Sequence, residues 1–159
     1  MATALQNLSE YNEELVSDAS GLRMGIVVAS WNEEITQALY AGAFNTLVKH
    51  GVHKADIETF QVPGSFELPF AASKMISKHA PDAVIVIGSV IQGETKHFDF
   101  VCQATAQGIM DLNVQTEVPV IFCVLTDNTW QQAKDRSGGK HGNKGVEAAV
   151  AAIQMATLA

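Results

Sequence analysis

Four short apolar runs, at 24–30, 56–62, 83–88 and 118–125, constrain this chain more than any other feature. The first and third, Met24-Gly-Ile-Val-Val-Ala-Ser30 and Ala83-Val-Ile-Val-Ile-Gly88, are continuous rather than alternating. That is the pattern of a strand buried on both faces, as in a parallel sheet. Amphipathic segments separate the runs. After the first run, Asn32 caps a helix with Glu33 and Glu34 in its first turn. Its stripe is Ile35, Ala38, Leu39, Gly42, Ala43, Thr46 and Leu47, and it stops at Gly51. After the second, Pro63-Gly64-Ser65 turns into a helix carrying Leu68, Ala71, Ala72, Met75, Ile76 and His79 on one face. Pro69 is tolerated in its first turn, where N–H groups are free anyway. A loop over 89–95 follows the third run, then a helix with Val101, Thr105, Gly108, Ile109 and Leu112 inward. Helices near 129–135 and 146–157 follow the fourth, the last with the stripe Val146, Ala149, Val150 and Ile153.

Strands alternating with helices imply parallel pairing through right-handed crossovers, with helices on both faces. The expected fold is a three-layer α/β/α sandwich of flavodoxin-like type, with a central parallel four-stranded sheet. Strand order 2-1-3-4 is the common solution. Residues 1–22 are polar and acidic with scattered apolar positions, and read as an N-terminal arm able to add a strand to something. Residues 23–159 read as a single domain, without repeat or linker.

Composition narrows the function. The 159 residues are 47% hydrophobic and 17% charged, enough for a core and too apolar for disorder. A net charge of -7 disfavours a nucleic-acid binder, which needs a basic face. No apolar run is long enough to cross a bilayer, and no signal-peptide pattern opens the chain. Cys102 and Cys123 lie in apolar company without CxxC spacing, so they read as reduced core residues of a cytoplasmic protein. Few charges also fit a surface partly covered by another subunit.

In open parallel sheets, ligands sit beyond the carboxyl ends of the strands. Three of the four loops selected by this rule carry unusual apolar groups: Trp31, Phe66, and the pair Val90 and Ile91. Beside polar neighbours they fit a pocket for a flat, polar-edged ring, or simply a cap on the sheet end. His97 falls in the first turn of a helix, where the dipole disfavours a cation. A neutral imidazole there suits proton transfer, and an ordinary surface histidine is the alternative. His50 and His79 end helices, where a cation is favourable, and are assigned a structural role. The chain has two arginines. Lys134, Arg136, Lys140 and Lys144 supply four of its ten Lys and Arg residues around a glycine-rich stretch that leads into a helix. That stretch fits an oxyanion or phosphate site, or a mobile basic loop. P-loop, GxGxxG, zinc-spacing and GxSxG motifs are all absent.

Pro63-Gly64-Ser65-Phe66-Glu67, then Gly88-Ser-Val-Ile-Gln-Gly-Glu-Thr-Lys-His97-Phe-Asp, then Arg136-Ser-Gly-Gly-Lys-His-Gly-Asn-Lys-Gly145 stand in one order. Together they resemble the 6,7-dimethyl-8-ribityllumazine synthase family, from about Met24 to Met155. The resemblance implies the penultimate step of riboflavin synthesis. There, 5-amino-6-(D-ribitylamino)uracil condenses with 3,4-dihydroxy-2-butanone 4-phosphate, releasing phosphate and water, without metal or organic cofactor. It implies that Trp31 stacks on the pyrimidine, where many relatives carry Phe. Ser65, Phe66 and Glu67 would hold the ribityl chain, and the backbone of Ser89, Val90 and Ile91 would read the pyrimidine edge. Glu94 and Thr95 would touch the butanone phosphate, and His97 would donate protons. Phe122 and Arg136 would come from an adjacent subunit, Phe122 to the ring and Arg136 to the phosphate. Lys144 would lie near the ring carbonyl and the ribityl chain. Gln92 stands where a common family form has Arg. The resemblance further implies a homo-pentamer, an icosahedral shell of pentamers through the short Gly138-Gly139 connection, and association with riboflavin synthase. Two other readings use the same pocket: an enzyme that dismutates the lumazine to riboflavin, and a non-catalytic flavin or lumazine carrier.

Overall fold

The computed structural model describes residues 7–158. Four strands, β1 (Met24–Ala29), β2 (Ile57–Val62), β3 (Ala83–Ile91) and β4 (Val120–Asp127), form one sheet in the order β2-β1-β3-β4, and every pairing is parallel. Helices α1 (Glu33–Lys49), α2 (Leu68–His79), α3 (His97–Gln115), α4 (Trp130–Arg136) and α5 (Lys144–Ala156) fill the crossovers and the end of the chain. The alternation along each inner strand divides the core. Ile26, Val28, Ile85, Ile87, Cys123 and Leu125 pack on α1 and α5 through Leu39, Ala43, Ala149 and Ile153. Val27, Ala29, Val84, Val86, Val120 and Val124 pack on α2 and α3 through Leu68, Ala72, Met75 and Ile109. Helices on both faces make this the three-layer flavodoxin-like sandwich that the pattern implies.

The strand ends differ from the sequence reading. β3 runs three residues past Gly88, because Ser89, Val90 and Ile91 pair with Leu125, Thr126 and Asp127. Residues 89–91 are therefore strand and not loop. β4 starts at Val120 and continues to Asp127. β2 is half exposed, since among the described residues it pairs with β1 alone and it carries Glu58, Thr59 and Gln61. The glycine-rich stretch is also structured. β5 (Ser137–Gly139) and β6 (Gly142–Asn143) form an antiparallel hairpin, with Gly138 and Gly142 at φ 117° and 82°, a region that excludes most side chains. Gly51 ends α1 at φ 105°, as expected.

Asn32 stands at the N-cap of α1 as expected, but in the left-handed region at φ 57° and ψ 48°, and its side chain makes no bond to the helix N–H groups. Its Nδ2 donates instead to the carbonyl of Ser89 at 2.9 Å.

Residues 1–6 of the arm lie outside the described residues. Among those described, the arm contains no strand and only one 3-10 turn, Glu13–Leu15, with Asn12 at its N-cap. It runs over its own domain. The N–H of Leu8 donates to His141 O at 2.7 Å, and that of Ala19 to His50 O at 2.9 Å. Tyr11 Oη lies 3.0 Å from His50 Nε2, and Lys49 pairs with Glu13. The Lys49 ammonium holds the Glu13 carboxyl below the usual range.

The two cysteines separate. Cys102, on α3, is half-buried, so it is not the core residue expected of it. Cys123 is buried in β4, and burial pushes its thiol up to about 12, because a thiolate there would lose its water. Cys123 is therefore expected to resist alkylation at neutral pH until the chain is unfolded by denaturant. Peptide mass spectrometry of the labelled sites checks this; prompt native labelling of Cys123 would contradict it.

Candidate active site

A cleft of about 720 Å³ opens beyond the carboxyl ends of β1, β2 and β3, against the start of α3. That is within the usual size range for a small-molecule site. Its position follows from unequal strand lengths. β1 makes its last pair with β3 at Val28 and Ile87, while β3 continues to Ile91. The sheet top is thus a step, and the residues after β1 and β2 sit in it.

Trp31 lies on the lower side of the step, with 71% of its surface exposed. Its backbone is held, the N–H donating to Pro63 O at 3.1 Å, and Ser30 N–H donates to Val62 O at 2.8 Å. The next residue, Asn32, ties this corner to β3 through Ser89 O. Ser65, Phe66 and Glu67 form a 3-10 turn leading into α2. Glu67 Oε2 accepts from Gly64 N–H at 3.0 Å, and Thr105 Oγ1 on α3 donates to Ser65 O at 3.1 Å. These bonds fix the turn from both sides, while the ring of Phe66 remains 60% exposed. An aromatic surface is costly to leave in water, and here three of them, Trp31, Phe66 and Phe100, border one cleft.

The upper wall is the end of β3. Ser89 is buried, and its Oγ has no hydrogen-bond partner among the described residues. Val90 and Ile91 are half-buried beside it. Gly93 and Thr95 close the wall, and His97 opens α3 with its side chain exposed. Thr95 Oγ1 lies 3.4 Å from His97 N, at the helix start.

The cleft thus gathers Trp31, Ser65, Phe66, Glu67, Ser89, Val90, Ile91, Thr95 and His97. Glu94, Phe122, Arg136 and Lys144 do not line it. Phe122 faces out from β4, and Glu94 is exposed in the loop before α3. Arg136 ends α4, where its Nη1 donates to Gln132 O at 3.0 Å. Lys144 opens α5 and pairs with Glu147 at 2.9 Å. Two lining aromatics, Phe98 and Phe100, were missed in the sequence, where they look like part of a helix stripe. The left-handed tether of Asn32 was also missed, and an Asn before two glutamates carries no signal for it. Among the described residues, Glu67 and His97 are the only titratable groups lining the cleft, and no Lys or Arg does so. No three His, Cys, Asp or Glu side chains come together there or elsewhere among them as a metal site would need.

Known proteins match this chain closely. The family model described as 6,7-dimethyl-8-ribityllumazine synthase matches residues 21–159. A protein of that name from Flavobacterium johnsoniae is 61% identical over 158 residues, 99% of this chain and 83% of the relative. One from Christiangramia forsetii is 58% identical over 159 residues, 99% of this chain and 95% of the relative. One from Parabacteroides distasonis is 55% identical over 155 residues, 98% and 97% of the two chains.

The upper wall depends on Gly88. A Cβ there would stand 2.5 Å from Ser65 Oγ and 3.0 Å from Leu68 Cδ1, whereas one at Gly93 would meet nothing within 4 Å. Gly88→Ala is expected to cost about 1–3 kcal/mol through overpacking, and Gly93→Ala close to nothing. Urea unfolding of the two variants checks the contrast.

Proposed function

The chain belongs to the 6,7-dimethyl-8-ribityllumazine synthase family, and from that premise we propose that its active site is composite, one chain supplying the cleft and a second copy the cation. The reaction itself follows from the family. The chain is a transferase that condenses 5-amino-6-(D-ribitylamino)uracil with 3,4-dihydroxy-2-butanone 4-phosphate, in riboflavin biosynthesis. The observation that carries the composite reading is the charge of the cleft. One substrate brings a dianionic phosphate, and no Lys or Arg lines the cleft that would receive it.

In this reading Trp31 stacks on the pyrimidine, and the backbone of Ser89, Val90 and Ile91 reads its polar edge. Ser65, Phe66 and Glu67 hold the ribityl chain, whose hydroxyls donate to the carboxylate oxygen that Gly64 leaves unused. Glu94 and Thr95 border the phosphate at the start of α3. Arg136 of a neighbouring copy holds that phosphate, Phe122 of that copy covers the ring, and Lys144 lies near the ring carbonyl. The 5-amine attacks the ketone and loses water to form an imine. His97 moves the protons of dehydration and enolisation. Phosphate leaves, and the ribitylamino nitrogen closes the ring on the new carbonyl with loss of a second water. No step calls for a metal or an organic cofactor. Holding two substrates in register supplies much of the rate.

A neighbouring copy also suits the outer face of α3. Phe100, Gln103, Gln107, Met110 and Val114 are exposed and spaced alternately by three and four residues. That spacing makes one stripe along the helix, suited to packing against other helices. A ring of five copies, stacked further into an icosahedral shell, is the arrangement proposed. It would act in the cytoplasm and associate with riboflavin synthase, which consumes the product. Among the described residues no helix is long and apolar enough to cross a membrane.

Light scattering is expected to give a pentamer or a multiple of five; an active monomer would overturn the composite site. In steady-state assays with chelator present, Arg136→Ala should raise KM for the butanone phosphate and spare that for the pyrimidine. Arg136→Lys should recover only part, since a lysine offers a point charge and not a planar fork. His97→Ala should lower kcat by about 10²-fold, the usual scale of general acid–base catalysis. An unchanged phosphate KM in Arg136→Ala, or a pure binding defect in His97→Ala, would reverse those assignments.

A further inference from the structure

Asp127 closes β4, and its carboxylate is the one charged group among the described residues that is both buried and short of partners. Its side chain is 8% exposed, and Oδ2 has no hydrogen-bond partner. Oδ1 lies 3.8 Å from Arg136 Nη1, whose side chain is 25% exposed. The backbone of Asp127 is fixed, because it pairs with Ile91 and its carbonyl accepts from Gln92 N–H at 2.9 Å. A buried carboxylate is costly unless an opposite charge answers it. Burial pushes the Asp127 carboxyl above its usual range, and the Arg136 guanidinium opposes that shift. The acid therefore needs the arginine beside it, and its own backbone is held by β3.

The arginine gains from the same contact. It ends a seven-residue helix, on a long side chain with many rotamers. Its Nη1 is used by Gln132 O one turn back. Among the described residues no hydrogen bond engages Nε or Nη2. At 3.8 Å the carboxylate attracts the guanidinium without taking a donor from it. We propose that Asp127 is a positioning residue for Arg136, holding the guanidinium at the end of β4 with Nε and Nη2 left for a phosphate. This rests on the reading of Arg136 as the phosphate ligand. A fork held in place before binding loses less freedom when the anion arrives.

The test uses the full, assembled enzyme, varying each substrate in turn. Asp127→Asn keeps the shape and removes the charge. It is expected to raise KM for the butanone phosphate about fivefold, and the inhibition constant of inorganic phosphate with it, the scale of a modest coupling between neighbours. KM for the pyrimidine should not move. In an Arg136→Ala background Asp127→Asn should add nothing, which a merely structural role would not produce. Should Asp127→Asn fail to fold, Asp127→Ser, which removes the carboxylate and its orphan oxygen together, carries the same comparison. An unchanged or lowered phosphate KM would overturn the inference, the lowered value meaning that Asp127 only repels the anion. An equal effect in the Arg136→Ala background would overturn it as well. If Arg136→Ala alone leaves the phosphate KM unchanged, the reading of Arg136 fails; if it raises that KM while Asp127→Asn does not, only the role of Asp127 fails.

Discussion

The pairing of β3 with β4, carried over eight residues from Val84 with Val120 to Ile91 with Asp127, is the interaction on which the site depends. β3 lies inside the sheet and β4 at its edge, and helices pack on both faces, so the N–H and C=O groups that these two strands turn toward each other pair rather than meet water. That obligation draws Ser89, Val90 and Ile91 into the sheet although β1 has already ended. Gln92 N–H extends the ladder by one more bond to Asp127 O. The cleft is the consequence. A sheet with level strand ends would present a flat top, whereas this one presents a wall three residues high with a floor beside it.

Three elements then lock onto the step. Asn32 ties the end of β1 to Ser89, and Thr105 ties the turn before α2 to α3. Gly88 leaves the space that Ser65 occupies. None of these contacts is strong, since a neutral hydrogen bond nets about 1 kcal/mol. Their effect is geometric. They hold the exposed rings of Trp31 and Phe66, one carboxylate and one imidazole around a single space, on strand ends and helix starts rather than on long loops.

How much of this the sequence disclosed depends on the range of each interaction. The inner strands were legible because burial on both faces writes a continuous apolar run into neighbouring residues. The end of β3 was not, because Ser89 and the Gln92-Gly93 pair look like a loop, and the strand that holds them is some 35 residues away. The β5–β6 hairpin was hidden for a related reason: glycine pairs through its backbone and leaves no side-chain pattern. Trp31, Phe66, Val90 and Ile91 stood out as apolar residues at strand ends, where water would otherwise meet them. Phe98 and Phe100 did not, because an aromatic in an amphipathic helix reads as core. The motif resemblance named Glu94, Phe122, Arg136 and Lys144 together with the cleft residues and assigned Phe122 and Arg136 to an adjacent subunit, a division that composition and periodicity do not carry.

That last distinction is an electrostatic one. A dianion entering a cleft lined by Glu67 and His97, and by no Lys or Arg, would meet no fixed cation there. Moving Arg136 into the cleft of its own chain would require it to leave Asp127, and a buried carboxylate stripped of its counter-charge is strongly unfavourable. On the proposed reading the arginine is used where it stands, and its free Nε and Nη2 would serve a phosphate brought by another copy. Under that arrangement the isolated chain is a poor phosphate binder, and the cation arrives only with the neighbour. Assembly and substrate binding then favour each other, because an anion bound between two copies joins both.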